Sequence, residues 1–313
     1  MTTETTGVIK ARVRLGDRVF SSSTVLAGSL ILVVLAAVAI FLIVQSLPAI
    51  TAKPGTLPDA APNFWVYVWP LVFGTVWAAA IALVIAIPIS IGIALFISHY
   101  APRRLAQGLG YIIDLLAAVP SVVFGLWGVQ VLATAVQPFY AWLNENFGWV
   151  PLFGGIVSGT GKTVLTVAIV LAVMVLPIMT AVCREVFLQT PRLHEEAALA
   201  LGATRWEMIR TAVLPFGRPG VISAAMLGLG RALGETLAVA MVLSPAVVVN
   251  FFLLTSQNPN TIAANIALQF PEASGIGVNT LIASGLVLFV ITFLVNAAAR
   301  IAINRRKAFS GAN

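Results

Sequence analysis

Arg231 and Glu235 are charged residues inside a run that is otherwise apolar, small or uncharged, Pro219–Leu243. A charge at the centre of a membrane-spanning helix costs about 2.5–3.5 kcal/mol, so such residues face a bundle interior or an aqueous pathway. Four positions apart, the two share a helix face and lie within pairing reach. The planar arginine fork suits a carboxylate, sulfate or phosphate. Glu235 would hold that arginine in place and keep the resting site from being a permanent anion trap. Ser223 and Thr236 add hydroxyls to the same run. The alternative reading is a buried ion pair that fixes helix packing. Asp114, near the start of another apolar run, is either a further member of a polar pathway or an interfacial residue.

Other chemistries fit less well. Gly159-Thr160-Gly161-Lys162-Thr163 looks like half of a phosphate-binding loop, but Ile156 stands where the first glycine belongs, and no strand precedes it. The Gly228–Gly234 run fails the dinucleotide spacing and lacks a βαβ context. Intrinsic nucleotide binding is therefore not expected. His99 and His194 are far apart and form no ligand motif, which makes them interfacial residues rather than metal ligands. The single cysteine, Cys183, excludes an intramolecular disulfide and a CxxC metal site. An intramembrane enzyme would need a Ser/His dyad or an HExxH pattern, and neither occurs. An ion-coupled secondary transporter using Arg231, Glu235 and Asp114 remains open, although no inverted repeat supports it.

The elements that must position these residues are membrane spans. Of 313 residues 59% are hydrophobic and only 9% charged, where a soluble domain has about 25% charged. Mean hydropathy is +1.00. The fold class is thus an all-α polytopic membrane protein. Six apolar runs are long enough to cross: Val25–Leu47, Leu71–Ser98, Tyr111–Val136, Thr163–Phe187, Pro219–Leu243 and Thr280–Ala299. The first is too long for the apolar part of a cleaved leader, and no small-residue cleavage site follows. Pro88, Pro120 and Pro177 fall inside spans and imply kinks. Residues 48–70 read as a membrane-surface loop rich in proline and aromatics. In the loop at 244–279, Ile262–Phe270 reads as a short surface helix.

The net charge of +7 belongs to topology rather than to nucleic acid. Fifteen of the 18 basic residues fall in the tail 1–24, the pair Arg103 and Arg104, the loop after the fourth span, and the tail 300–313. Only Lys53 and Lys162 fall on the opposite side, with Arg231 inside a span. The asymmetry places both termini in the cytoplasm. It also places there the segment that links the fourth and fifth spans.

That segment, residues 190–215, reads as two short helices around a glycine elbow. Thr190 is a candidate cap with Pro191 in the first turn. Leu193, Ala197, Ala198 and Leu201 then share a face. Gly202 takes the left-handed C-cap position. Thr204 and Glu207 form a capping box that starts the second helix, and Pro215 marks its expected end.

Glu196-Ala197-Ala198, Gly202 six residues after the glutamate, and Leu214-Pro215 resemble the EAA loop of ABC-importer permeases. Ala212 departs from that pattern, which has isoleucine two positions before the leucine. With Gly230–Thr236 and Ala118-Val119-Pro120-Ser121-Val122, the chain is similar to the phosphate-specific importer permeases, the PstC-type subunits. The resemblance implies a type I ABC-importer permease fold, with a permease domain at 71–299 preceded by an extra span at 25–47. It implies that Glu196, Ala197, Ala198, Gly202, Leu214 and Pro215 couple to an ATPase, and that Arg231 and Glu235 line the substrate pathway. It implies no cofactor in this chain, ATP and Mg residing on the ATPase. The implied partners are a PstA-type second permease, a PstB-type ATPase dimer and a PstS-type phosphate-binding protein, with the lipid bilayer as surroundings and no nucleic acid. Sulfate and molybdate would also suit an arginine; phosphate rests on the resemblance.

Overall fold

The computed structural model describes residues 15–307. Lys10, Arg12 and Arg14 of the basic N-terminal tail lie outside the described residues, as do 308–313. The first helix, α1 (Leu15–Ile50), is apolar all round, and most of its length is exposed to what would be lipid. It packs along the last helix (Ile276–Lys307), and near its own end Asn279 Nδ2 donates to the Gln45 carbonyl at 2.7 Å. The helix begins well before Val25, so residues 15–24 are helix rather than tail.

α2 (Phe64–Leu95) starts seven residues before the Leu71 expected from hydropathy. Asn63 caps it, accepting from the Val66 N–H at 2.9 Å, and Phe64 and Tyr67 are buried. A capped amphipathic turn at the surface is invisible to a hydropathy window, which sees only its tryptophans. α2 ends in a π turn, Phe96–Tyr100.

The kink expected at Pro120 in the third span is a full break. α3 (Arg103–Ala117) and the segment Ser121–Ala135 meet at 92°. Pro120 lies at the break, where its ring and its constraint on Val119 prevent a continuous helix. Beyond it run α4 (Ser121–Trp127), a π turn Gly128–Leu132, α5 (Ala133–Ala135) and α6 (Gln137–Phe147). Pro88 and Pro177, by contrast, sit inside continuous helices.

α7 (Val164–Leu188), capped by Thr163, is the buried axis of the bundle, packing along α2, α10 and α3. α8 (Arg192–Ala200) and α9 (Arg205–Met208) form the elbow. A π turn, Ile209–Val213, leads without a stop into α10 (Leu214–Leu233). A short α11 (Leu237–Val242) follows after a break. β1 (Pro245–Ala246) and β2 (Asn258–Pro259) pair in parallel. α12 (Ile262–Gln269) and the long α13 (Ile276–Lys307) complete the described chain. Among the described residues five helices are long and apolar enough to cross a membrane, and six segments if the broken pair is one span.

The two long connections are tied together rather than loose. Asn258 Oδ1 accepts from Val164 N–H at 3.1 Å, and its Nδ2 donates to the carbonyls of Lys162 and Ser244. The half phosphate-loop motif has a packing role here: Gly161 has φ +68, and a Cβ on it would collide with the Ala133 carbonyl. α12 is not a surface helix. Ile262, Ala263, Ala264 and Asn265 are buried, the Ile262 N–H donates to Thr75 Oγ1 at 2.9 Å, and Asn265 Nδ2 donates to Tyr67 Oη at 2.8 Å. Side-chain partners from α2 satisfy a helix start that hydropathy alone would leave at the surface.

Candidate functional site

The elbow is built by local capping. At the end of α8 the Ala203 N–H donates to Ala198 O at 3.2 Å and the Gly202 N–H to Leu199 O at 2.9 Å. That double bond pattern requires Gly202 in the left-handed region, where it stands at φ +86. Thr204 N–H donates to Glu207 Oε2 at 2.8 Å, and the Glu207 N–H returns to Thr204 Oγ1 at 3.3 Å, so both halves of the capping box are made.

Two expectations for this segment change. Thr190 does not cap α8: Pro191 occupies the cap position, and Thr190 Oγ1 is buried without a partner. Pro215 does not end the second helix. The Leu214 N–H bonds to Ile209 O, five residues back, and this wider turn accommodates the missing proline N–H within a helix that runs from Arg205 to Leu233.

The shared apolar face also divides. Ala198 and Leu214 pack on a buried cluster containing Cys183, Phe187, Ile209 and Val213. Leu193, Glu196, Ala197, Leu201 and Pro215 are exposed, Leu201 at 91%. The elbow therefore rests on the bundle through one side and offers the other. His99, at the end of α2, steadies it, with Nε2 3.4 Å from Glu195 Oε1. The sequence gives no sign that these two meet, because 96 residues separate them.

The charged residues of the fifth run are not a pair. α10 ends at Leu233, Gly234 follows with φ −92 and ψ 0, and residues 234–236 interrupt the helix before α11. Glu235 is 9% exposed, and its Oε1 accepts from the Ala238 N–H at 3.2 Å, closing the first turn of α11. Among the described residues no ion pair joins it to Arg231. The assumption of a continuous helix through Leu243 fails at Gly234, and with it the shared face.

Arg231 instead lines a cavity of about 630 Å³ between α7, α10 and α13. Its Nε is buried without a hydrogen-bond partner. Ser223, Asn296 and Arg300 line the same space, with Ile178 and Leu227 among its apolar walls. Thr236 and Asp114 do not line it: the Thr236 hydroxyl donates to Gly234 O, and Asp114 is exposed on α3. Sequence reasoning missed Asn296 and Arg300. Their four-residue spacing near the end of the last apolar run was the available signal.

Residues 86–308 match the family model described as binding-protein-dependent transport system inner membrane component. A protein of Mycobacterium tuberculosis called phosphate transport system permease protein PstC 2 is 46% identical over 299 residues, covering 92% of this chain and 91% of that one. The phosphate transport system permease protein PstC of Mycobacterium leprae is 51% identical over 209 residues, 66% of this chain and 65% of its own. Among solved structures, a chain of a bacterial ABC transporter involved in import of the acidic polysaccharide alginate superposes with TM-score 0.60 at 16% identity, covering 92% of this chain and 99% of that one.

Proposed function

This chain belongs to the binding-protein-dependent transport system inner membrane components, and from that premise we propose that it is the permease subunit of an ATP-driven importer of inorganic phosphate. The observation that carries the substrate is the 46% identity across nearly the whole length of a phosphate permease. Its fold is that of a type I ABC-importer permease. It is a multi-pass membrane permease and not an enzyme; the ATPase is a separate subunit.

The partners of this reading are a PstA-type permease, two PstB-type ATPases carrying ATP and Mg, and a PstS-type binding protein. The exposed side of α8, with Glu196, Ala197 and Leu201 beside the Gly202 bend, supports docking of the ATPase there. Ala198 and Leu214, packed on the buried cluster, would pass the ATPase's movement to α7 and α10. Arg231, which lines the cavity and whose Nε has no hydrogen-bond partner, supports a place on the anion's route. Glu235 contributes by closing the first turn of α11 after the break, rather than by holding Arg231.

The chain resides in the cytoplasmic membrane with both termini inside. The contact between His99 and Glu195 supports this, because it brings Arg103, Arg104 and the basic elbow to the same end of the bundle.

Two measurements test the proposal. Deleting this gene should abolish high-affinity uptake of labelled phosphate, and unchanged uptake would refute the substrate. An Ala197→Cys variant should cross-link to the ATPase in the purified complex; absence of a cross-link in every nucleotide state would remove the docking surface.

A further inference from the structure

Two arginines from distant parts of the chain line one cavity. Arg231 comes from the last turn of α10 and Arg300 from the distal half of α13. Among the described residues no carboxylate lines that space. Ser223, Asn296 and Arg300 are exposed along its open side, and two cations lining one space repel each other less when an anion lies between them. The Arg231 Nε, buried and unpartnered, marks a donor that the protein itself leaves unsatisfied.

The neutral groups narrow the class of anion. Asn296 stands one helical turn before Arg300 on the same face, and its side-chain amide can donate. Ser223 is different. Its single hydroxyl hydrogen is donated to the Pro219 carbonyl at 2.9 Å, so towards the cavity Oγ can only accept. An acceptor of this kind favours an oxyanion that still carries a proton. Inorganic phosphate near neutral pH has a P–OH to donate; sulfate presents only lone pairs, and its approach would set two acceptors against each other.

We infer that the cavity between α7, α10 and α13 is a two-arginine oxyanion site, with Arg300 as its second cation and Ser223 Oγ as the group that favours protonated phosphate over sulfate. The identity of the ion rests on the reading of the chain as a phosphate permease. The convergence of Arg231 and Arg300 on one cavity does not.

The test uses the assembled permease–ATPase complex without its binding protein, and equilibrium binding of labelled inorganic phosphate. Arg300→Gln should weaken binding about tenfold or more, the worth of one charge-assisted hydrogen bond. Arg300→Lys should recover part of the loss by restoring charge without the fork. Ser223→Ala should leave phosphate binding measurable but let sulfate compete more effectively than it does against the native site. Co-purification of each variant with the ATPase separates a lost site from a lost fold. Equal phosphate binding by native and Arg300→Gln complexes would overturn the role of Arg300. An unchanged competition by sulfate in Ser223→Ala would overturn the selection. If the complete native system fails to take up phosphate, the functional reading itself falls, whatever the binding shows.

Discussion

His99 and Glu195 meet at 3.4 Å between the end of α2 and the helix of the elbow. Ser98 Oγ donates to Ala94 O at 2.8 Å and lies 2.6 Å from His99 Nδ1. The Ser98 hydroxyl thus holds the imidazole from the α2 side while Nε2 faces Glu195. The elbow is thereby latched to a second span, besides the helices it directly follows and precedes. His99→Ala should speed amide exchange across α8 by about threefold to tenfold, as expected for losing one modest contact in a locally opening segment, with α7 unchanged. Equal exchange in both proteins would show that the latch does not hold α8.

Because Arg231 and Glu235 share no ion pair, exchanging their charges should not restore function. The double variant Arg231→Glu, Glu235→Arg should be at least as impaired in phosphate uptake as the worse single one. In thermal unfolding of the complex the two single effects should add within about 0.5 kcal/mol, as for residues without a shared partner. A larger coupling would mean that the two touch.

Glu235 closes the first turn of α11 through one carboxylate oxygen, which a glutamine can imitate. Glu235→Gln should therefore retain most of the complex's thermal stability. Glu235→Ala should lose about 0.5–2 kcal/mol, the range for removing a helix-start acceptor. Equal losses would remove the capping role.

Gly202 has open space where a Cβ would go, so its substitution reads out backbone conformation alone. Gly202→Ala should cost the elbow about 1 kcal/mol through the left-handed backbone, and Gly202→Asn less. The order should appear in cross-linking yield between Ala197→Cys and the ATPase, measured in each background. If alanine and asparagine behave like glycine, the bend does not set the docking geometry.

At Gly228 a Cβ would lie 2.7 Å from Met179 Sδ, because α7 and α10 approach closely there. Gly228→Ala should reduce the yield of assembled complex, consistent with about 1–3 kcal/mol of overpacking. Pairing it with Met179→Ala should return part of that yield. No rescue would locate the clash elsewhere.

Composition, basic-residue asymmetry and the length of apolar runs are properties of the chain taken locally, and they were enough to identify a helical, multi-span membrane protein; the permease reading came from the short motifs around Glu196 and Arg231. Thr163 as the start of α7, the Gly202 bend and the Thr204–Glu207 box were legible for the same reason: each capping interaction involves residues a few positions apart. What tertiary structure decided lies where the local rule has more than one outcome. A proline in a span is absorbed at Pro88 and Pro177 and breaks the helix at Pro120, and the outcome depends on whether neighbours satisfy the freed carbonyls. Periodicity carried Glu235 onto the face of Arg231, but a break at Gly234 gave it to the Ala238 N–H and left Arg231 to a cavity shared with Arg300. No spacing rule could bring Arg231 to Arg300 or His99 to Glu195, because those meetings are set by the packing of α7, α10 and α13 and by how α2 ends beneath the elbow.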